Sequence, residues 1–284
     1  MMNSLTLNNG VTMPLKGFGV FQITDGPLCR QSVLMALQAG YRMIDTAVCY
    51  GNEMAVGDAL QASGIDREDL FLVSKVWIQD TGYGKTMVSF EKTLANLQTD
   101  YLDLYLIHMP YGDYHSSWKA MEDLLASGRV RAIGVCNFLA DRLEDLILSH
   151  YIVPAVNQIE MHPFCQQKAL RQFMESFQIQ PMAWAPLAEG REHLFRHPVL
   201  TQIGQAYGKT AAQVALRWLW QNQVVSIPKS VHQEWIEENF AIDDFTLSSA
   251  DMMRIAQLDQ GHPLILDVQS PAEVDRLHHI RFDQ

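Results

Sequence analysis

The chain has 284 residues, of which 48% are hydrophobic and 19% are charged, as in ordinary soluble globular proteins. Its 32 acidic side chains outnumber 21 basic ones, and the net charge of −11 makes nucleic acid and anionic membranes poor partners. No apolar run approaches the ~18 residues of a membrane span, and the opening MMNSLTLNNG lacks the features of a signal peptide. Four scattered cysteines form no CxxC pair and fit a reducing cytosol, so we expect a cytoplasmic protein. The length of the chain leads us to expect a single domain over residues 1–284.

The chain repeats one unit, a short β-branched or aromatic run followed by a stretch with helical periodicity. It opens with a hairpin pattern around Asn9-Gly10, which we interpret as a plug beneath the sheet. The predicted strands lie near 16–20 and at 42–47, 70–77, 101–109, 130–138, 153–160, 180–186 and 224–230. The clearest predicted helices are 56–64, 88–98, 117–128 and 140–150. Eight units favour a (β/α)8 TIM barrel over an open doubly wound sheet. We expect the tail beyond Gly261 to form a loop over the mouth of this barrel and then a C-terminal helix.

Several nucleotide- and metal-binding patterns are incomplete. Gly84-Lys85-Thr86 and Gly208-Lys209-Thr210 end like P-loops but lack the first glycine, so we predict that both open helices. Gly17-Phe18-Gly19 lacks the third glycine of a dinucleotide fingerprint. His162 and Cys165 have metal-like spacing, but two further ligands at matching intervals are missing, and we predict no metal site.

Three polar residues each close a predicted strand on successive units: Asp45, Lys75 and His108. The carboxyl ends of barrel strands converge on one rim, where catalytic residues lie. Tyr50 follows Asp45 by five residues, on the loop that leaves the same strand. Each residue alone is as well explained by packing or solvation, but their joint placement predicts a shared pocket.

This set of groups points to carbonyl chemistry. A phenol has an ordinary pKa of about 10, which is high for a proton donor near neutrality. A neighbouring ammonium would lower that pKa, and a carboxylate would hold the ammonium charged and in place. An imidazole could orient a carbonyl oxygen. We therefore expect protonation of an aldehyde or ketone oxygen while hydride arrives at its carbon.

Motifs along nearly the whole chain, from NNGVTMPLKGFGVFQ (8–22) to the final helix, then make the sequence recognisable. They are GYRMIDTAVCYGNE (40–53), LFLVSKVW (70–77), LYLIHMP (104–110), GVCNF (134–138), NQIEMHP (157–163), WAPLAEG (184–190), IPKSV (227–231) and IEENF (236–240). As a set they resemble the aldo-keto reductase superfamily, close to the branch of bacterial and fungal 2,5-diketo-gluconate and prostaglandin-type reductases.

The resemblance implies an NADPH-dependent reductase of small-molecule carbonyl substrates, and a monomer. The implied catalytic residues are Tyr50 as general acid, Lys75 beside it, Asp45 as the partner of Lys75, and His108 as the group that orients substrate. The implied cofactor contacts are Asn137 and Gln158 to the carboxamide, Trp184 to the nicotinamide ring, Leu187 over the pyrophosphate, Lys229 and Ser230 to the 2′-phosphate, and Glu238 and Asn239 to adenine. Phe21, Trp77 and Tyr111, with His108, are candidates for the substrate pocket because they follow strands on the catalytic rim.

Three residues depart from the family pattern. Cys136 stands where a serine usually precedes Asn137, and Met109 replaces a tryptophan that often follows the catalytic histidine. Trp235 replaces an arginine that is common six residues after the lysine of IPKS, so we expect a modest NADPH preference with measurable NADH activity. The alternative function is a nucleotide-binding regulatory or redox-sensing barrel without turnover, because one fold can host unrelated functions.

Overall fold

The structure, a computed structural model, describes residues 4–282 and has an eight-stranded parallel sheet at its centre. The strands, in chain order, are β3 (Gly17–Gly19), β4 (Met43–Asp45), β5 (Phe71–Val76), β6 (Leu102–Ile107), β7 (Val130–Cys136), β8 (Val156–Glu160), β9 (Gln180–Trp184) and β10 (Val225–Ser226). Each pairs with the next in parallel, in the order β3 to β10.

The sheet closes between β10 and β3. Lys16 and Ser226 form a parallel bridge, the Ser226 N–H donates to Leu15 O (3.1 Å), and the Gly19 N–H donates to Pro228 O (3.2 Å). A Cβ at Gly19 would lie 2.9 Å from the Ile227 carbonyl oxygen, so a larger residue would push this seam apart. The predicted (β/α)8 barrel is confirmed.

Helices cover the outside of this barrel. They are α1 (Gly26–Ala39), α2 (Glu53–Ser63), α3 (Tyr83–Leu97), α4 (Tyr114–Ala126), α5 (Ala140–Ser149), α6 (Lys168–Ser176), α7 (Pro198–Tyr207), α8 (Ala211–Gln221), α9 (Gln233–Phe240), α10 (Ser249–Ala256) and α11 (Pro271–His279). Thr210 caps α8 through a capping box with Gln213, and Thr86 lies in the first turn of α3, so the two P-loop-like segments do begin helices. Among residues 4–282, no helix has both the length and the apolar character needed to cross a membrane.

The hairpin of β1 (Ser4–Thr6) and β2 (Thr12–Pro14) lies at the amino-terminal end of the barrel. At its tip, Asn9 donates to Arg131 O at the start of β7 (2.9 Å), and Asn8 donates to Pro154 O just before β8 (3.1 Å). The hairpin was predicted, and these contacts place it beneath the sheet, opposite the end that carries the polar residues.

The C-terminal segment crosses the other end, at the carboxyl ends of the strands. Three consecutive backbone N–H groups, of residues 264–266, donate to the buried carboxylate of Glu160 at the end of β8, at 2.6–3.2 Å. Further along, Trp77 Nε1 donates to Ile280 O (3.3 Å), and Gln79 exchanges two hydrogen bonds with the Phe282 backbone. The predicted loop over the mouth and the final helix are both present.

Candidate active site

A buried ion pair forms the centre of the candidate site. Lys75 Nζ donates to Asp45 Oδ1 (2.6 Å), to the Thr46 carbonyl oxygen (2.8 Å) and to the phenolic oxygen of Tyr50 (3.3 Å). Lys75 is 0% and Asp45 1% exposed, so neither charge is solvated and each depends on the other. The ammonium therefore places a donor directly against the Tyr50 oxygen.

The strand register explains why these residues meet. Asp45 pairs with Val73, two residues before Lys75, and Lys75 pairs with Leu106, two residues before His108. Side chains alternate across a strand, so the three residues point to the same face of the sheet. This face is the barrel interior, at the rim where the strands end.

Tyr50 is placed by a 3-10 turn, Val48–Tyr50, that follows β4. The turn ends at Gly51, whose φ of 66° is in the left-handed region. Behind it, Asn52 accepts a hydrogen bond from the Thr46 hydroxyl (2.9 Å) and donates to the carbonyls of Val20 and Ile23. These bonds tie the turn to the loop after β3 and fix where the phenol points.

His108 follows β6 directly and completes the group. Its ring lies 5.6 Å from the Tyr50 ring and 5.1 Å from the Trp77 ring, in edge geometry in both cases. Burial and the Lys75 charge hold the pKa of His108 well below 6.5, so the imidazole is neutral near pH 7. Its Nδ1 lies 3.3 Å from Cys49 Sγ.

The expected lowering of the Tyr50 pKa is wrong for this arrangement of protein groups. Burial, with a further contribution from the Asp45 carboxylate, raises the pKa of Tyr50 well above 10. Lys75 does not offset this because its charge is already balanced by Asp45 at 2.6 Å. The phenol is thus fully protonated at neutral pH.

Three of the predicted cofactor contacts cluster beside this group. Asn137, at φ 63°, donates to the His108 carbonyl oxygen (3.1 Å) and accepts from Trp184 Nε1 (2.8 Å). Gln158 donates to Asp45 Oδ2 (2.8 Å). The amides are thereby held in fixed orientations, and each keeps hydrogen-bonding capacity for a ligand.

The other predicted cofactor contacts lie along the same end of the barrel. Leu187 is half-buried in the loop after β9, and Lys229 is exposed after β10 beside the buried Ser230. On α9, Asn239 is buried, and its side-chain amide has no hydrogen bond to any residue in the described range 4–282. Glu238, also on α9, accepts a hydrogen bond from the hydroxyl of Thr210, the residue that caps α8 (2.6 Å).

The aromatic side chains proposed for the substrate pocket lie at the carboxyl ends of the strands. Phe21 is half-exposed, and its ring lies 4.9 Å from the Tyr50 ring. Trp77 contacts both His108 and Phe282. The Tyr111 hydroxyl donates to Val268 O in the C-terminal segment (2.7 Å). The three aromatic candidates and His108 therefore lie in one region at this end of the barrel.

Two features of the site are absent from the sequence-based prediction. The Cys49 contact with His108 was missed, although Cys49 is the residue immediately before Tyr50. The hydrogen bonds from the C-terminal segment to Glu160 were also missed, although Glu160 is part of the motif NQIEMHP. The same motif contains His162, whose Nε2 lies 3.1 Å from Glu160 Oε1. The spacing of His162 and Cys165 reflects a tight turn, in which the two residues exchange backbone hydrogen bonds at 3.0 and 3.1 Å.

Comparison with known proteins assigns this architecture to a family. Residues 17–260 match the aldo/keto reductase family model. Glyoxal reductase of Bacillus subtilis is 48% identical over 92% of this chain and 94% of its own, and 9,11-endoperoxide prostaglandin H2 reductase of Trypanosoma cruzi is 43% identical over 91% and 92%. A Bombyx mori aldo-keto reductase solved in complex with NADP superposes with a TM-score of 0.88 at 31% identity, covering 96% of both chains.

The chain therefore belongs to the aldo/keto reductase family. It is an oxidoreductase that acts on carbonyl groups, which confirms the main functional prediction over the regulatory alternative.

Proposed function

We propose that the protein reduces an aldehyde or ketone to the alcohol with hydride from NADPH, using Tyr50 as the proton donor. The observation that carries this proposal is the convergence of Asp45 and Tyr50 on the Lys75 ammonium group, with His108 beside the phenol. Burial raises the pKa of the Tyr50 phenol well above 10, so the proton that it donates is in place at neutral pH.

The residues present fit NADP(H). Asn137 and Gln158 offer oriented amides near Trp184, and the buried residue Asn239 has a side-chain amide without a hydrogen bond to any residue in 4–282. Lys229 supplies an exposed positive charge for a phosphate. When bound, NADPH supplies the hydride for the carbonyl carbon. The NADP complex of the Bombyx mori relative supports this choice of cofactor.

The protein's own part is a proton transfer and its electrostatic support. The Tyr50 hydroxyl gives its proton to the carbonyl oxygen as negative charge develops there. The phenolate left behind accepts the hydrogen bond that Lys75 Nζ already directs at this oxygen. Asp45 keeps Lys75 charged, and His108 holds the carbonyl oxygen beside the phenol.

The mouth favours uncharged substrates with apolar or aromatic groups. Phe21, Trp77 and Tyr111 supply aromatic surface, and Met109 is buried behind them with its sulfur 3.4 Å from Asn137 Nδ2. Partial burial, followed by the charges of Asp267 and Glu273, raises the pKa of Tyr111, and the charge of Arg142 opposes this, so two acidic groups and one basic group act on this side of the opening. We therefore propose that a carboxylate on the substrate weakens binding.

A cofactor-oxidation assay tests the proposal. Purified protein and NADPH are mixed with methylglyoxal, 4-nitrobenzaldehyde, 4-carboxybenzaldehyde, an aldose and a keto acid, and loss of the reduced nicotinamide band is followed. We expect turnover with the uncharged aldehydes and a higher KM for 4-carboxybenzaldehyde than for 4-nitrobenzaldehyde. An absence of NADPH oxidation across the whole panel would count against the proposal.

We also propose that NADPH is preferred over NADH only modestly, that the protein works as a monomer, and that it lies in the cytoplasm. The four cysteines are free and buried, as suits a reducing compartment.

A further inference from the structure

The contact between Cys49 and His108 has no part in the chemistry proposed above. Cys49 Sγ lies 3.3 Å from His108 Nδ1, and the thiol is 7% exposed. It packs in a small apolar cluster at the mouth with Trp77, Ile78 and Met109, among others. Because Cys49 is in the same 3-10 turn as Tyr50, the turn that places the acid also places the thiol.

The protonation states limit what this contact can be. Burial raises the pKa of the Cys49 thiol, so the sulfur keeps its hydrogen at neutral pH. His108 is neutral for the reasons given above, so its ring has one N–H donor and one acceptor nitrogen. Two arrangements are possible: the S–H donates to Nδ1, or an Nδ1–H donates to sulfur.

The free nitrogen of the ring distinguishes these two arrangements. Within residues 4–282, His108 Nε2 has no hydrogen-bonding partner, and the one side-chain partner of Cys49 Sγ is His108 Nδ1. If the thiol donates, the ring hydrogen lies on Nε2 and can be given to a carbonyl oxygen. If the thiol accepts, Nε2 has only a lone pair, which repels that oxygen.

We propose that Cys49 is a positioning residue that donates its S–H to His108 Nδ1 and thereby keeps the ring hydrogen on Nε2, facing the substrate. The edges of the Tyr50 and Trp77 rings fix the plane of the imidazole, but they do not distinguish its two flipped orientations. A flip would exchange Nδ1 with a carbon and lose the contact with sulfur. Cys49 therefore selects both the orientation and the tautomer of His108. The proposal rests on the proposed function, because it assigns His108 to the substrate oxygen.

Two substitutions separate donation from packing. Cys49→Ser keeps a donor of similar size, whereas Cys49→Ala removes it. Cys29→Ala is the matched control, because Cys29 is another fully buried cysteine, within α1, with no side-chain hydrogen bond in the described chain. Cys49→Val, which fills the volume without a donor, replaces the alanine variant if that variant does not fold.

Nitrogen-15 NMR of histidine-labelled protein measures the tautomer without substrate, and His108→Gln assigns the resonances. In the wild type and Cys49→Ser we expect an Nε2–H tautomer. In Cys49→Ala we expect a mixture of tautomers and a kcat lowered about three- to tenfold, the effect of losing one weak neutral hydrogen bond. The Kd for NADPH of the Cys49 variants should match that of the wild type. Cys29→Ala should keep the wild-type tautomer of His108 and the wild-type kcat.

Two results would overturn the proposal. One is an unchanged tautomer and kcat in Cys49→Ala or Cys49→Val. The other is a folded Cys49→Ser that behaves like Cys49→Ala, since a packing role alone would not depend on the donor. If no carbonyl is reduced by the wild type, the proposed function fails, while the NMR comparison still decides whether Cys49 sets the tautomer.

Discussion

At the scale of single residues, Tyr50 combines two properties that work against each other. Its pKa is raised by burial, which makes it a weaker acid, yet Lys75 Nζ lies 3.3 Å from its oxygen and is ready to stabilise the phenolate. Catalysis then depends on stabilising the product of proton transfer rather than on a low pKa of the free enzyme.

Removing the hydroxyl tests the assignment of the acid. Tyr50→Phe keeps the ring and its contacts with Phe21 and His108. We expect kcat to fall by ~10²–10⁴, the usual contribution of a general acid, with little change in the Kd for NADPH. Steady-state kinetics and fluorescence titration measure the two quantities. A variant that keeps more than about a tenth of the activity would show that another group is the acid.

The double variant Tyr50→Phe/Lys75→Met tests whether Lys75 acts through Tyr50. We expect Lys75→Met to lower kcat about as much as Tyr50→Phe, and the double variant to lose little more than either. Replacing Lys75 leaves the buried Asp45 carboxylate without its ion-pair partner. We therefore expect the free energy of unfolding of these variants to fall by about 3–5 kcal/mol, and circular dichroism measures the folded fraction. Losses that multiply would mean that the two residues act independently.

His108 also makes stability depend on pH. Its pKa in the folded protein lies well below the 6.5 of an unfolded chain, so between these values only the unfolded state binds the proton. Stability should therefore fall as the pH drops through 6.5. Between about pH 7.5 and 5.5, urea unfolding should show the wild type losing ~1.4 kcal/mol more than His108→Gln. Equal slopes for both proteins would mean that His108 has the same pKa in the folded and the unfolded protein.

At the scale of elements, α9 bears on the choice of cofactor. Trp235 is half-exposed on this helix, and its ring lies 4.3 Å from His232, near Lys229 and Ser230. An arginine there would add a charged fork able to grip a 2′-phosphate. We expect Trp235→Arg to raise the NADPH-over-NADH ratio of kcat/KM by ten- to a hundredfold, the effect of ~1.5–3 kcal/mol for a hydrogen bond to a charged group.

Tyr151→Arg is the matched control for α9. Tyr151 is fully exposed just after α5, so the substitution adds the same charge at a different site. This control should leave the cofactor ratio unchanged. A ratio that stays constant in Trp235→Arg, or moves toward NADH, would show that position 235 is outside the phosphate site.

Buried strands were the elements most readily predicted from sequence. β5 and β6 are buried along their whole length, and their predominantly apolar sequences distinguish them from the amphipathic helices that follow. The hairpin was recognisable from Asn9-Gly10. β10 was predicted over 224–230 but contains only Val225–Ser226, because the chain turns after closing the barrel against Leu15 and Lys16.

At the scale of the whole molecule, the site was predictable where it depends on strand ends and not where it depends on the C-terminal segment. Asp45, Lys75 and His108 meet because period-two alternation and strand order dictate it. The contacts of residues 264–282 join positions about a hundred or two hundred residues apart, through backbone groups that have no sequence pattern. The high pKa of Tyr50 was also unpredictable, because burial depends on the complete fold.

Glu160 links the barrel to the C-terminal segment. Its carboxylate accepts hydrogen bonds from three backbone N–H groups and lies 3.1 Å from His162 Nε2. Burial alone would raise the pKa of Glu160, but these contacts outweigh burial and lower it. In Glu160→Gln, we expect faster amide hydrogen exchange at 264–266 and a higher KM for the carbonyl substrate. The exposed Glu175→Gln is the control. Unchanged exchange would show that other contacts hold the segment.

The C-terminal segment donates hydrogen bonds to Glu160 only through peptide N–H groups, which every amino acid except proline provides. The hydrogen bonds to Glu160 therefore do not depend on the side chains of residues 264–266, although Leu264 and Leu266 also pack against apolar clusters of the barrel. Mutations at these positions can reshape the opening while these backbone hydrogen bonds remain. This gives natural variation, or a randomised library that omits proline, a route to new substrate preferences without rebuilding the barrel.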